Sequence, residues 1–326
     1  MNREKSQYSK EFLIELYRTL YKIRVFETKG IALYRQGHIR GYYHPYLGEE
    51  AIATGACAAL DKDQDYIVST HRGHGHCIAW SNRLEGMFAE LMGKATGCCK
   101  GMGGSMHIAD LSRGNMGANA IVGASIPLGA GAALGVKIRG EHSVVVAFTS
   151  DGAANCGPFA EGLNMASVWK LPLIVMIENN QFAVDTPIEE SSGEVELFKR
   201  GQGYGVNSIR IDGNQVLDVY EATRNAVALC RDGKGPYLVE AMTYRHSGHH
   251  VNDPGLYMPK EKLEHYQAHD PIVRGRKALA EIGGASEMEI KAIETSVEQE
   301  MEEAIAFAKS SPELTREQFF ELVTQY

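Results

Sequence analysis

Asp151 and Asn180 are the residues whose types and spacing first suggest chemistry. Asp151 opens the run Asp151-Gly152-Ala153-Ala154-Asn155, directly after the apolar stretch 143–149. Asn180 stands 29 residues further on and closes Glu178-Asn179-Asn180, directly after the apolar stretch 173–177. Both stretches read as buried parallel strands. Both polar clusters therefore fall at carboxyl ends of core strands, the edge at which open α/β sheets bind ligands. A carboxylate, an amide oxygen and a nearby backbone carbonyl make three hard oxygen donors. Such a set suits Mg²⁺, which takes few protein oxygens and completes its octahedron with phosphate oxygens and water. Gly152 and Ala153 are expected to open a helix whose free N–H groups face an anion. Each cluster alone is also an ordinary polar turn. The pair at this spacing carries the reading.

The elements that must position these residues follow from periodicity. Apolar residues at helical spacing run through 10–36, and a small-residue helix is expected at 49–60. A turn at 61–63 leads into a short strand at 66–69. Between Gly93 and Gly135 lie eleven of the 35 glycines, too many for regular structure. This region reads as loops approaching something closely, ending in a helix at 125–139. A loop and helix at 151–169 and a helix at 216–231 alternate with strands at 143–149, 173–177, 206–211 and 237–242. Alternation of this kind implies an α/β fold with a doubly wound, mostly parallel sheet. Residues 260–326 read as charged helices. With no linker or internal repeat, residues 1–326 are taken as a single domain with helical N- and C-terminal extensions.

Composition narrows the partners. A net charge of -8 argues against a broad nucleic-acid surface. No apolar run is long enough to span a membrane, and no signal-peptide core opens the chain. The six cysteines form no C-x-x-C, and the adjacent Cys98 and Cys99 do not readily bridge each other. They read as reduced thiols, and a cytoplasmic location is expected.

The sequence resembles the alpha subunits of the thiamine-diphosphate-dependent dehydrogenase component of 2-oxo acid and acetoin dehydrogenase complexes. The resemblance covers nearly the whole chain. It rests on the Asp151 to Asn180 spacing and on His44 with Gly48-Glu49-Glu50-Ala51. It also rests on His71-Arg72-Gly73-His74-Gly75, on Lys100 through His107, on Ile121-Val122-Gly123 and on Ile126 through Gly131. Trp169-Lys170-Leu171-Pro172 and Tyr244 through His249, with Asp253-Pro254-Gly255, complete it. The segments His71–His76, Gly93–Gly97 and Ser105–Asp110 look most like acetoin dehydrogenase alpha subunits.

The resemblance implies a thiamin diphosphate-binding fold, with thiamine diphosphate and Mg²⁺ as cofactors. Asp151 and Asn180 would supply side-chain oxygens to the metal, and Phe182 its backbone carbonyl. Gly152 and Ala153 would offer N–H groups to the diphosphate, and Arg72 a charged fork. Ala120 and Val122 would meet the aminopyrimidine, with Val122 wedged beneath the bent cofactor. His44, His71 and His249 are the catalytic candidates, since imidazoles move protons near neutrality. His249 would also lie beside the diphosphate, on a loop expected to order with it. Many relatives carry Tyr where this chain has His71, and Gly where it has Ala120.

The implied activity is cleavage of acetoin to acetaldehyde and a hydroxyethyl unit. That unit is oxidised and passed as acetyl to lipoamide. Pyruvate or a branched-chain 2-oxo acid is the alternative substrate. Glu49 and Glu50 are tempting activators of the aminopyrimidine, but in heteromeric relatives that glutamate comes from the beta subunit. A beta partner in an assembly of two alpha and two beta chains is therefore expected, together with a lipoyl-bearing acyltransferase. Other readings exist. Gly129–Gly135 resembles a dinucleotide glycine run, but a loop-like segment precedes it instead of a strand. His71, His74 and His76 could hold zinc. A catalytically silent scaffold is a third possibility, against which the intact Asp151, Asn180, Arg72, His44 and His249 speak.

Overall fold

The computed structural model describes residues 8–324. Its centre is a six-stranded sheet in the order β2-β1-β3-β4-β8-β7. The strands are β1 (Tyr66–Thr70), β2 (Asn115–Asn119), β3 (Val145–Ser150), β4 (Leu173–Asn179), β7 (Asn207–Asp212) and β8 (Tyr237–Met242), and every pairing is parallel. A two-stranded antiparallel hairpin, β5 (Phe182–Ala183) with β6 (Thr186–Pro187), projects beyond β4. The core strands are apolar on both faces because both faces are covered. Val146, Phe148, Ile174 and Met176 point into one buried cluster, and Val145, Ala147, Leu173 and Val175 into another. That is why 143–149 and 173–177 read as continuous apolar runs instead of alternating ones.

Helices cover the sheet. Ser125–Arg139 packs on β3 so closely that a Cβ on Gly129 would meet the Ala147 Cβ at 2.8 Å. Gly129, Gly131 and Gly135 all lie inside this helix and not in a dinucleotide turn, and Gly129 serves its contact with the sheet. Residues 10–35 form one 26-residue helix, started by the Ser9 side chain accepting from the Phe12 N–H. The Glu287–Ser310 helix lies along it in the same direction, started by a capping box of Ser286 and Glu289. Lys10, Tyr17 and Lys22 of the first helix reach Glu289, Glu294 and Glu300 of the second.

Two expectations need correction. The segment Asn115–Asn119, expected as loop, is β2. It is an edge strand that pairs only with β1, and its sequence, Asn-Met-Gly-Ala-Asn, carries no apolar alternation. Gly152 and Ala153 do not open a long helix. Gly152–Asn155 is a single 3₁₀ turn, and the chain goes extended at Cys156 before a new helix runs from Gly157 to Val168 with proline in its first turn. No helix among the described residues is long and apolar enough to cross a membrane.

Candidate active site

β1 lies between β2 and β3, so the chain leaves it in one direction for β2 and later returns on its other side for β3. Such a reversal opens a crevice at the carboxyl ends of the strands. A cavity of about 250 Å³ occupies it. Thr70, His71 and Arg72 reach it from the end of β1, Ala120 and Val122 from beyond β2, and Ser150 and Gly152 from β3. Glu178, Asn180 and Phe182 come from the end of β4, and His44 and His249 close it from two loops. Nearly all of the residues singled out in the sequence therefore converge.

Two of them do not line the cavity. Ala153 is buried, and its N–H goes to the Ser150 Oγ at 3.2 Å. Asp151 is buried beneath the cavity, and its Oδ1 has no hydrogen-bond partner. Burial pushes its carboxyl up to about 6. An unpaired buried carboxylate oxygen is costly, and a cation supplied from outside would relieve it. Asn180, also buried, holds its amide near Glu49, and its Oδ1 accepts from the Phe182 N–H at 3.4 Å. The donors expected for Mg²⁺ thus follow the carboxyl ends of two neighbouring strands, Asp151 after β3 and Asn180 and Phe182 after β4.

Arg72 is engaged by the protein itself. It donates to the carbonyls of Pro45 and His249, at 2.7 and 2.9 Å, and lies 3.6 Å from Glu49. Glu49 is wholly buried, and burial raises its carboxyl to about 8 despite Arg72. Glu50 faces away, paired with Arg24 at 2.6 Å.

His44, His71 and His249 each offer a nitrogen within 4.8 Å of the others. All three are shifted toward the neutral ring, first by burial and then by the Arg72 guanidinium. His71 and His249 fall to about 3. His44 Nδ1 has no partner. The zinc set of His71, His74 and His76 does not form. His74 bonds Glu27 at 2.9 Å and Ser105 at 3.0 Å, while His76 bonds Ser69 at 2.8 Å and Glu178 at 2.9 Å. The strand end and the helix start that carry these histidines turn them apart.

Arg245 is a site residue to which the sequence motifs assign no role. It is buried, lines the cavity, and donates to the His249 Nδ1 at 3.0 Å and the Val184 carbonyl at 2.6 Å. Val184 has φ +59°, an uncommon state for a β-branched residue, and Arg245 helps to hold it there. The one local signal was an arginine at the end of a strand, four residues before a candidate histidine. With Arg72 and Arg245 on its wall, the site favours an anion beside the three imidazoles.

Comparison with known proteins agrees with this geometry. Residues 18–317 match the family described as dehydrogenase E1 component. The chain belongs to that family. Its members are thiamine-diphosphate-dependent enzymes, and this chain is an E1-type dehydrogenase subunit of the alpha kind. It is 44% identical to the alpha subunit of acetoin:2,6-dichlorophenolindophenol oxidoreductase of Bacillus subtilis, over 96% of this chain and 93% of that one. It is 39% identical to the pyruvate dehydrogenase E1 component subunit alpha of Rhizobium meliloti, over 94% of this chain and 88% of that one. A chloroplastic pyruvate dehydrogenase E1 alpha-3 of Oryza sativa is also 39% identical, over 98% of this chain and 77% of that one. Alpha subunits imply a beta partner. The resemblance stated from the motifs is borne out, as is the α/β fold with a parallel sheet flanked by helices.

Proposed function

We propose that this chain is the alpha subunit of a thiamine-diphosphate-dependent acetoin dehydrogenase. It works with a beta subunit in a heterotetramer of two alpha and two beta chains, and it serves a lipoyl-bearing acyltransferase. The observation that carries the reading is the unpaired Asp151 Oδ1 beside Asn180, at the edge of a cavity walled by three neutral imidazoles. The residues fit the cofactor. Asp151, Asn180 and the Phe182 carbonyl would hold Mg²⁺, with Gly152 N–H and Arg72 near the diphosphate. Arg72 would exchange its present carbonyl partners for a phosphate, a stronger charge-assisted acceptor. Ala120 and Val122 would meet the aminopyrimidine. When bound, the cofactor supplies a carbon nucleophile that adds to a carbonyl and accepts the electron pair left by C–C cleavage.

The chain's own part is to manage protons and water. His44, His71 and His249 are neutral near pH 7; a neutral ring can donate through one nitrogen and accept through the other, and His249, whose Nδ1 takes the Arg245 N–H, is left to donate through Nε2. Cleavage of acetoin requires a proton to be given to the ketone oxygen and another to be taken from the carbinol. Loss of CO₂ from pyruvate needs the first proton but no removal from a carbinol. Three imidazoles within reach of one another suit the more demanding case. The Bacillus relative's name supports acetoin. Pyruvate remains the second reading, supported by the names of the Rhizobium and Oryza relatives.

Two measurements test this. Asp151→Ala in the alpha–beta complex should abolish Mg²⁺-dependent binding of thiamine diphosphate, read by calorimetry, while the circular dichroism spectrum stays unchanged. Unaltered affinity would refute the metal assignment. An acceptor-linked assay of the wild-type pair should show turnover of acetoin; turnover of pyruvate alone would transfer the chain to the second reading.

A further inference from the structure

Of the six cysteines, Cys57, Cys77 and Cys230 are buried, and Cys156 is half-exposed without a neighbouring thiol among the metal-competent clusters. Cys98 and Cys99 are both half-exposed, and each has its sulfur within 4.8 Å of the other's. They sit on the 93–104 loop, which is clamped by one buried carboxylate. Glu90 accepts from the N–H groups of Cys99 and Gly101 with one oxygen, at 2.7 and 2.8 Å. Its other oxygen takes those of Gly103 and Gly104, at 2.7 and 3.1 Å. The Cys99 Sγ in turn accepts the Ala109 N–H at 3.3 Å. The pair is therefore held in place by its surroundings and open to solvent on one side.

Three chemistries compete for two adjacent thiols. A tetrahedral zinc site needs four ligands. Glu90, the third member of the cluster, has both oxygens taken by four N–H groups, and no histidine joins it among the described residues. A disulfide needs Cα atoms about 4.4–6.8 Å apart. Neighbours across a trans peptide are fixed at about 3.8 Å, so this pair resists oxidation against itself and stays a dithiol. What remains is a soft centre that needs only two sulfurs and spans a wider gap than an S–S bond.

We infer that Cys98 and Cys99 form a binding site for a trivalent arsenical of the type R–As=O, gripped through both sulfurs. Two As–S bonds form and two S–H bonds break. The arsenic oxygen leaves with both protons as water. Arsenic stays trivalent, so no oxidant or reductant is needed. Cys98 hydrogen-bonds to Cys99, which lowers the Cys99 thiol and makes it the first sulfur to attack. The same loop continues to Met106, which lines the cofactor cavity. The E1 component thus carries a metalloid-sensitive dithiol of its own, independent of any lipoyl group.

The test uses the full chain and phenylarsine oxide. The reagent is added to the native protein at equal concentration, the excess is removed, and free thiols are counted after denaturation. The expected count is two below the six of the untreated chain. The adduct should survive excess 2-mercaptoethanol and be released by 2,3-dimercaptopropanol. Cys98→Ser should abolish it; its sulfur bonds no backbone group, so the fold is spared. Cys156→Ser should leave it intact. A count of six after treatment, or an adduct that persists in Cys98→Ser, would overturn the assignment.

Discussion

A guanidinium only donates hydrogen bonds, so the contact from Arg245 to His249 leaves Nδ1 of that ring without a proton. The neutral ring must then carry its hydrogen on Nε2. Arg245 is in this sense a positioning residue, because it selects which nitrogen of His249 can donate. Arg245→Met should release the choice. The ¹⁵N shifts of His249 should move from one tautomer toward a mixture, and kcat should fall by at least about 10²-fold, the lower end for general acid–base groups. A loss of activity with the ¹⁵N shifts unchanged would rule the role out. A second expectation concerns acidity. His71 and His249 are pushed down to about 3 by burial and by Arg72, against 6.5 when unfolded. Between those values the unfolded chain binds more protons than the folded one, so stability is full above about pH 6.5 and falls as the pH drops. Urea midpoints of the cofactor-free chain should decline from neutrality to about pH 5, and His71→Phe should make the decline shallower.

At the scale of elements, two loops are organised by a single carboxylate each. Asp253 accepts from the His249 and Gly255 N–H groups at 2.5 and 2.9 Å, and from the Tyr257 hydroxyl at 2.7 Å. Asp253→Ala is expected to raise protease cleavage within residues 246–258, mapped by mass spectrometry, with the sheet intact. Glu90 does the same for the 93–104 loop. Its removal orphans four donors, each worth about 1–3 kcal/mol when buried. Glu90→Ala should therefore cost about 4 kcal/mol, read as a lower urea midpoint. The sheet was legible because its two central strands, β3 and β4, grow out of continuous apolar runs, and the metal-type residues because they follow those runs directly. β2 was illegible because an edge strand with Gly117 at φ +109° has no pattern to show. The 3₁₀ turn after Asp151 was missed because a helix and a turn begin alike; the extended Cys156 ahead of Pro158 decides between them. Glu90 and Arg245 were passed over because nothing local says which distant or loop groups they bond. Their roles exist only once the chain is folded.

The whole molecule leaves part of its site unfinished. Ile121 and Val122, on the segment leading away from β2, are 70% and 47% exposed, large apolar groups at the lip of a cavity. Its own carboxylates are committed: Glu49 lies against Arg72 and Asn180, and Glu178 bonds Tyr46 and His76. Among the described residues, no other carboxylate lines the cavity on the side that Ala120 and Val122 would mark. The purified chain alone should show no acetoin or pyruvate turnover, and adding the beta chain should restore it; turnover by the isolated chain would refute the shared site. A different consequence follows from the parallel pairing of the 10–35 and 287–310 helices. Leu16, Leu20 and Ile23 of the first helix are covered in part by residues synthesised some 270 positions later, as the Lys10–Glu289 pair, 279 apart, records. Contacts so distant in sequence form slowly. During translation the first helix must therefore wait with its apolar stripe uncovered, and a chain still being made is at its most aggregation-prone until the ribosome has released the last long helix.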